Sequence, residues 1–152
     1  MKTITLSPDQ VQFAHDLAEK IKNSKPYTAN WKIDNIVVGI LGEMGYAALK
    51  GFQINTDIWH DRCDGGADFA DGADVKTTTY MGPNTELKIS KLPANAKATK
   101  FVLAVVDYKK NPHQVFLLGE ISLDNFKLKS KDKTYYDKPF KCVGVIDLDV
   151  IY

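Results

Sequence analysis

The sequence has few cysteines and no long apolar segment, and both absences restrict the kind of protein it encodes. Its 152 residues include two cysteines, Cys63 and Cys142, which lie far apart and form no CxxC pair. This spacing argues against a disulfide scaffold or a zinc knuckle and predicts free thiols. No apolar run approaches the roughly 18 residues that a membrane-spanning helix needs, and the first residues contain no secretory hydrophobic region. We therefore expect a cytoplasmic protein with no membrane partner.

The sequence has almost no excess of one sign of charge, but the two signs are separated along the chain. The net charge is +1, yet residues 57–74 include six aspartates and a single cation, Arg62. From Lys76 to Lys141, thirteen lysines outnumber six acidic residues. An acidic pocket beside a basic surface suits a protein that binds a divalent cation while holding a polyanion. Uneven decoration of the surface explains the same charges equally well.

The first third of the chain predicts two helices. Residues Ser7-Pro8-Asp9-Gln10 form a capping box with proline at the first helical position, and helical apolar spacing continues to about residue 22. A second helix is predicted over about 33–50, with Gly51 as its stop, and it is apolar on nearly every side. Its internal glycines each cost roughly 1 kcal/mol relative to alanine. We therefore expect another segment to approach the helix closely at Gly39, Gly42 and Gly45.

The rest of the chain shows strand patterns. Asp71-Gly72 predicts a hairpin turn between strands at 67–70 and 73–79. Ser122 is expected to cap a short helix. Further strands are predicted at 86–90, 101–108, 115–121 and about 142–147, the second and third of them central in the sheet. Two helices followed by a strand-rich half predict one α/β domain over residues 1–152, with a mixed central sheet flanked by helices.

Asp74-Val75-Lys76 is the centre of the predicted functional site. Side chains two residues apart on a strand share a face, so the carboxylate of Asp74 and the ammonium of Lys76 emerge together while Val75 enters the core. A regular hairpin would turn Asp68 to the opposite face. We therefore predict a one-residue irregularity near the turn, which returns Asp68 to the side of Asp74.

Glu43 is the only charged residue in the interior of the second helix. A carboxylate on a buried helix is unfavourable unless it is paired or binds a cation. The flanking glycines would bring Glu43 toward Asp68 and Asp74. Three carboxylates and Lys76 suit Mg²⁺-dependent hydrolysis of a phosphodiester, with Mn²⁺ as a substitute. Simpler explanations are a salt bridge for Glu43, a turn-stabilising role for Asp68 and a solvated strand face for Asp74 and Lys76.

Three segments together resemble the PD-(D/E)xK nuclease superfamily: Gly42-Glu43, Gly66-Ala67-Asp68-Phe69 and Asp74-Val75-Lys76-Thr77-Thr78. This superfamily includes many restriction enzymes, resolvases, homing nucleases and phage-encoded nucleases. The resemblance implies a restriction-endonuclease-like core, DNA as the substrate and a homodimer, and it suggests a phage or mobile-element source.

The resemblance also implies a role for each matched residue. Asp68, Asp74, Glu43 and the backbone carbonyl of Val75 would bind the metal, and Lys76 would be catalytic. Ala67 stands where the name of the superfamily has proline. The short spacing between Asp68 and Asp74 leaves Asp64 as an alternative first ligand.

A lysine pattern near the end of the chain is a second candidate for DNA contact. Such lysines would contact phosphates while neighbouring tyrosines stack on bases, although an exposed loop or edge strand also explains the pattern. The alternating candidates are Lys127, Lys129, Lys131 and Lys133, with Tyr135 and Tyr136 following the last of them. Lys88 and Lys91 belong to an earlier group of lysines with the same two explanations.

Two rival functions remain. A non-catalytic DNA-binding protein on the same fold would keep the basic surface and lack cleavage. A calcium-binding module would use Asp61, Asp64, Asp68 and Asp71, but their spacing differs from that of an EF-hand and no terminal glutamate follows. A zinc site on His60 and Cys63 lacks a second pair of ligands.

Overall fold

Seven strands and three α-helices are present in the computed structural model, which describes residues 1–24, 32–56, 67–90, 92 and 97–152. In chain order they are β1 (Lys2–Thr5), α1 (Pro8–Ser24), α2 (Ile33–Lys50), β2 (Ala73–Thr78), β3 (Glu86–Ile89), β4 (Lys100–Val105), β5 (Gln114–Ser122), α3 (Leu123–Lys129), β6 (Lys131–Tyr135) and β7 (Lys138–Gly144). The protein is therefore mixed α/β, as predicted.

The central sheet has the strand order β1-β5-β4-β2 and is mixed. Strand β2 runs parallel to β4, while β5 is antiparallel to both β4 and β1. The predicted central position of β4 and β5 is confirmed. Strand β2, which contains Asp74 and Lys76, is an edge strand of this sheet. A second, antiparallel sheet has the order β3-β7-β6.

Both faces of the central sheet are covered. Helices α1 and α2 pack on one face, where Val75, Val102 and Val115 enter a core that includes the fully buried Tyr46. The opposite face contributes Phe101 and Leu103 to a second core, which is closed by α3 and the second sheet through residues such as Phe126, Leu87 and Val143. Alternate residues of β4 thus serve different cores, as the two-residue period of a strand requires.

The ends of the helices agree with their sequence signals. The backbone N–H of Ser7 donates to Gln10 Oε1 at 2.8 Å, and the N–H of Gln10 donates to Ser7 Oγ at 3.2 Å. This reciprocal pair is the predicted capping box. Helix α2 ends at Gly51, whose φ of 72° lies in the left-handed region that glycine adopts without strain. Ser122 caps α3 by accepting from the N–H of Asn125 at 3.2 Å.

Two of the three glycines of α2 allow the helix to lie directly on the sheet. A Cβ at Gly42 would collide with the side chain of Thr77 on β2, and one at Gly45 would lie 2.8 Å from Cβ of Val115 on β5. The prediction of a close approach is confirmed at these positions. It is wrong for Gly39, where an added Cβ would meet no atom within 4 Å.

The predicted hairpin before β2 is wrong. Residues 67–70 form a turn rather than a strand. The N–H groups of Asp68 and Phe69 both donate to the carbonyl of Ala73, at 2.7 and 3.2 Å, and the N–H of Gly72 donates to the carbonyl of Phe69 at 3.0 Å. Two residues opposite one carbonyl make an irregular arrangement of the kind we predicted. The turn itself comes earlier than predicted, with Ala70 and Asp71 at its centre.

Strands β1 and β6 were not predicted. Both lie at sheet edges and are largely exposed, so neither carries the apolar alternation that indicates a strand. Cys142 is a free, buried cysteine, as predicted, while Cys63 lies outside the described residues. In the described part of the chain, no helix is long and apolar enough to cross a membrane.

Alanine substitution should distinguish the glycines of α2 by the space around them. Gly39→Ala should increase the free energy of unfolding by about 0.5–1 kcal/mol, because alanine favours the helix and meets no neighbour. Gly45→Ala should decrease it by about 1–3 kcal/mol, because overpacking against Val115 outweighs the gain in helix propensity. Urea unfolding of both variants provides the measurement, and equal effects would contradict this packing.

Candidate functional site

The site is built on the edge strand β2. Asp74 and Lys76 alternate with the core residue Val75 and share one face, and Lys76 Nζ lies 2.6 Å from Asp74 Oδ1. Asp74 is only 8% exposed, whereas the side chain of Lys76 is 42% exposed. Carboxylates are rarely buried to this extent unless they are paired. Lys76 therefore compensates the charge of Asp74 while keeping its own ammonium accessible to solvent.

Asp68 lies along the outer edge of β2. Its Oδ2 accepts a hydrogen bond from the backbone N–H of Val75 at 2.7 Å. Among the described residues, no strand pairs with this edge of β2. The N–H and C=O of one strand residue point in the same direction, so the carbonyl of Val75 faces this edge as well. The irregular turn thus brings Asp68 beside Asp74, although their spacing in a regular hairpin would have separated them.

Glu43 approaches the same edge from α2. The helix packs on the face of β2 that carries Val75 and Thr77, and Glu43 is partly buried. Its carboxyl interacts electrostatically with Asp68, Asp74 and Lys76. Three carboxylates from a helix, a turn and a strand therefore converge around one strand edge beside one lysine. These are the four residues that the sequence predicted.

The carboxyl groups of this cluster hold protons more tightly than isolated ones. Desolvation, followed by the negative charges of Asp68 and Asp74, raises the pKa of Glu43 from 4.5 to about 8. Desolvation and the charge of Asp74 likewise raise the pKa of Asp68 from 3.8 to about 7, against the lowering effect of the Val75 N–H. A side-chain hydrogen bond between Asp68 and Asp74 also contributes to this rise. Near neutral pH, Glu43 and Asp68 therefore retain protons, which reduce the repulsion between the carboxylates. A bound cation would reduce this repulsion in the same way.

The donor set suits a hard divalent cation, but the present arrangement of the described residues does not form a complete coordination shell. Within those residues, no group of three histidine, cysteine or carboxylate side chains is placed to hold a metal ion. Lys76 occupies one oxygen of Asp74, and the Val75 N–H occupies one oxygen of Asp68. The oxygen chemistry of Glu43, Asp68 and Asp74 fits Mg²⁺, which keeps several waters and needs few protein ligands.

A second charged network positions the turn, and the sequence did not predict it. Lys100 Nζ at the start of β4 lies 2.9 Å from Asp71 Oδ2 and 3.2 Å from Glu120 Oε2 on β5. The hydroxyl of Tyr46 on α2 donates to Asp71 Oδ2 at 2.7 Å. Burial alone would lower the pKa of Lys100, but its hydrogen bonds with Asp71 and Tyr46 and the charge of Glu120 raise it. The network ties the turn that carries Asp68 to both α2 and the sheet.

This network also bears on the calcium-loop hypothesis. Asp71 is one of the four aspartates that a calcium loop would use. One of its carboxylate oxygens is already bound by Lys100 and Tyr46, which disfavours its use as a calcium ligand. The alternative first ligand Asp64 lies outside the described residues, as do Asp61, His60, Cys63 and Lys91.

The structure separates the lysines proposed for DNA contact. Lys127 and Lys129 lie on α3, and Lys129 pairs with Asp147 at 3.7 Å. Lys131 and Lys133 lie on β6, an edge strand, which is one of the two simpler explanations that the lysine pattern left open. Lys133 and Lys88 come together at one groove beside the end of β2. Contact of any of these lysines with DNA stays a prediction.

Comparison of the chain with protein-family models, with curated proteins and with solved structures gave no match. The resemblance to the PD-(D/E)xK nucleases is neither supported nor contradicted by these comparisons and stays a prediction.

Raised carboxyl pKa values make the stability of the metal-free protein depend on pH. Glu43 and Asp68 bind protons more tightly in the folded than in the unfolded chain, so proton binding stabilises the fold. This contribution to the free energy of unfolding is complete below about pH 4 and is lost as the pH rises toward 8. In EDTA, the thermal unfolding midpoint of the wild type should fall between pH 5 and pH 8 by more than that of Glu43→Gln. Equal pH dependence in the two proteins would contradict the coupling of these carboxyl groups.

Removing the charge of Lys100 should release the turn. Lys100→Met leaves Asp71 and Glu120 without their cation, so the free energy of unfolding should decrease by about 1–3 kcal/mol, between the values for exposed and buried pairs. Lys110→Met is the matched control, because the Lys110 side chain is 86% exposed, and it should change stability by less than about 0.5 kcal/mol. Urea unfolding gives the free energy of unfolding of both variants. Similar values for Lys100→Met and Lys110→Met would show that Lys100 does not stabilise the turn.

Proposed function

We propose that the protein is a metal-dependent DNA endonuclease of the PD-(D/E)xK type with a restriction-endonuclease-like core. The observation that carries this proposal is the convergence of Glu43, Asp68 and Asp74 beside Lys76 at one strand edge. Carboxyl groups that repel one another are unfavourable for folding. Next to a solvent-accessible lysine, however, they suit the metal-dependent hydrolysis of a phosphodiester bond. A role in structure alone gives no reason to place three acids together.

Each residue has a distinct task in this proposal. Asp68 and Asp74, with the Val75 carbonyl, provide oxygen ligands at the edge of β2, and Glu43 adds a third carboxylate from α2. In this site Mg²⁺ or Mn²⁺ would lower the pKa of a bound water and neutralise charge on the phosphate. Lys76 orients the attacking water or stabilises the charge that develops on phosphate oxygens. Its flexible and partly exposed side chain reaches toward solvent, from which the DNA arrives.

Proton binding and metal binding compete in this site. Because Glu43 and Asp68 retain protons near neutral pH, metal binding releases protons and strengthens as the pH rises. Asp74 Oδ1 is in contact with Lys76 Nζ, so an Asp74 carboxylate that held a metal would contact the ammonium less closely. Lys76 would then be more available to a phosphate of the substrate.

Cleavage of supercoiled plasmid and of branched DNA tests the proposal. Cutting should require Mg²⁺ or Mn²⁺ and should stop in EDTA. Asp74→Asn and Lys76→Met should each reduce the rate by about 100-fold or more, because they remove a ligand and the charge that faces the phosphate. Lys110→Met, at an exposed position between β4 and β5, should cut at the wild-type rate.

The outcomes separate the rival functions. Binding of DNA without cutting of any substrate would favour the non-catalytic DNA-binding protein. Calorimetry with Ca²⁺ tests the calcium module, which requires tight binding that DNA does not influence. Unchanged cutting by both Asp74→Asn and Lys76→Met would contradict the assignment of the site even if the protein proved to be a nuclease.

A further inference from the structure

A groove of about 420 Å³ lies beside the C-terminal end of β2. Its walls come from the loop that follows β2 and from the second sheet. On β3, Glu86 and Lys88 alternate with Leu87, which is buried in the second core, so the polar residues face away from that core. The lining residues include Thr78, Tyr80, Glu86, Lys88, Lys133 and Tyr135.

The groove adjoins the proposed catalytic residues through β2 itself. Asp74, Lys76 and Thr78 alternate along this strand and share one face. Thr78 lies two residues beyond Lys76, which is about 6.6 Å along a strand and comparable to the length of one nucleotide. A DNA strand with its phosphate at Lys76 therefore places a neighbouring nucleotide at the groove.

The charge of the groove suits a single phosphodiester. Lys133 forms an ion pair with Glu86, and the hydroxyl of Tyr135 donates to Glu86 Oε2 at 2.7 Å. Lys88 Nζ lies 3.7 Å from the centre of the Tyr135 ring. Two lysines against one glutamate leave one positive charge on these walls. Lys88 is held by an aromatic face, which leaves its ammonium able to contact a phosphate as well.

Tyr80 provides an aromatic surface on a fixed loop. The side chain of Tyr80 is half exposed. The hydroxyl of Thr85 donates to the Tyr80 carbonyl at 3.2 Å and accepts from the N–H of Gly82 at 2.8 Å, and Thr85 is itself buried. The Tyr80 ring lies against Gly82, where a Cβ would approach its Cζ to 2.5 Å. The ring is thus held in place, and part of its surface stays available for stacking.

We propose that this groove binds an unpaired nucleotide of the substrate strand, with its base stacked on Tyr80 and its phosphate at Lys88 and Lys133. The inference rests on the proposed nuclease function and specifies its substrate class. Bases inside a duplex are stacked on one another, so an aromatic side chain can stack only on a base that has left the helix. The preferred substrate is therefore DNA with a single-stranded segment next to the bond that is cut.

Fluorescence anisotropy in EDTA tests the groove without cleavage. A duplex with a single-stranded overhang should bind about tenfold more tightly than the same duplex with blunt ends, and Tyr80→Ala should abolish this difference. Tyr80→Phe should retain it, because the ring is kept. Tyr152→Ala, at a tyrosine that is 88% exposed and outside the groove, is the matched control and should bind as the wild type does.

A change in the DNA provides an independent test that does not depend on the folding of a variant. The wild-type protein is tested with a series of overhangs, each of which has one abasic site at a different nucleotide. At one of these positions, the abasic site should weaken binding as much as Tyr80→Ala does with the intact overhang. Lys88→Met should weaken binding and make its salt dependence shallower. Equal binding of abasic and intact overhangs, or an overhang preference that survives in Tyr80→Ala, would overturn the inference.

These results also separate the groove from the nuclease itself. An overhang preference that depends on Tyr80, in a protein that cuts no DNA, supports the groove and counts against the nuclease. Metal-dependent cutting without any such preference supports the nuclease and refutes the groove.

Discussion

The candidate site depends on how closely α2 lies on the central sheet. Gly42 and Gly45 remove the side chains that would otherwise separate the helix from Thr77 and Val115. Glu43 lies between these two glycines, so the contact that packs the helix also brings a carboxylate to the edge of β2. A larger residue at either position would move the helix away from the strand that carries Asp74. Here the requirements of packing and those of the site coincide.

The close approach of α2 brings Glu43 near Asp68 and Asp74, and the repulsion among the three carboxylates is unfavourable. The network around Lys100 stabilises the turn that carries Asp68 and offsets this repulsion. Asp68 and Asp71 belong to the same turn but have opposite surroundings. Asp71 is neutralised by Lys100 and bound by Tyr46, so it fixes the turn. Asp68 faces Asp74 and Glu43 and carries a raised pKa. Asp71 thus stabilises the turn geometry in which the ionised form of Asp68 is disfavoured, and the cation site that we propose requires both conditions.

Sequence reasoning succeeded where the signal is local and failed where it depends on distant contacts. The bounds of α1 and α2 follow from a capping box, apolar periodicity and a terminal glycine, all readable within a few residues. Strand β6 is polar and exposed, so nothing local distinguishes it from a loop. The convergence of Glu43 with Asp74 was predictable because a lone charge on an apolar helix needs a partner. The link from Lys100 to Asp71 was not, because it arises only when β4 pairs with β2.

Strand β2 connects two regions of different chemistry. Asp74 and Lys76 lie on this strand beside Asp68 and Glu43, and its last residue, Thr78, lines a groove with tyrosines and lysines. Because a strand is a rigid spacer, the distance between the two regions is fixed by the pleat rather than by a flexible loop. Parallel pairing with β4, along all six residues of β2, holds this spacer straight. A nucleotide bound in the groove would therefore determine which phosphate reaches Lys76, so recognition and position of cutting would be set by one structural element.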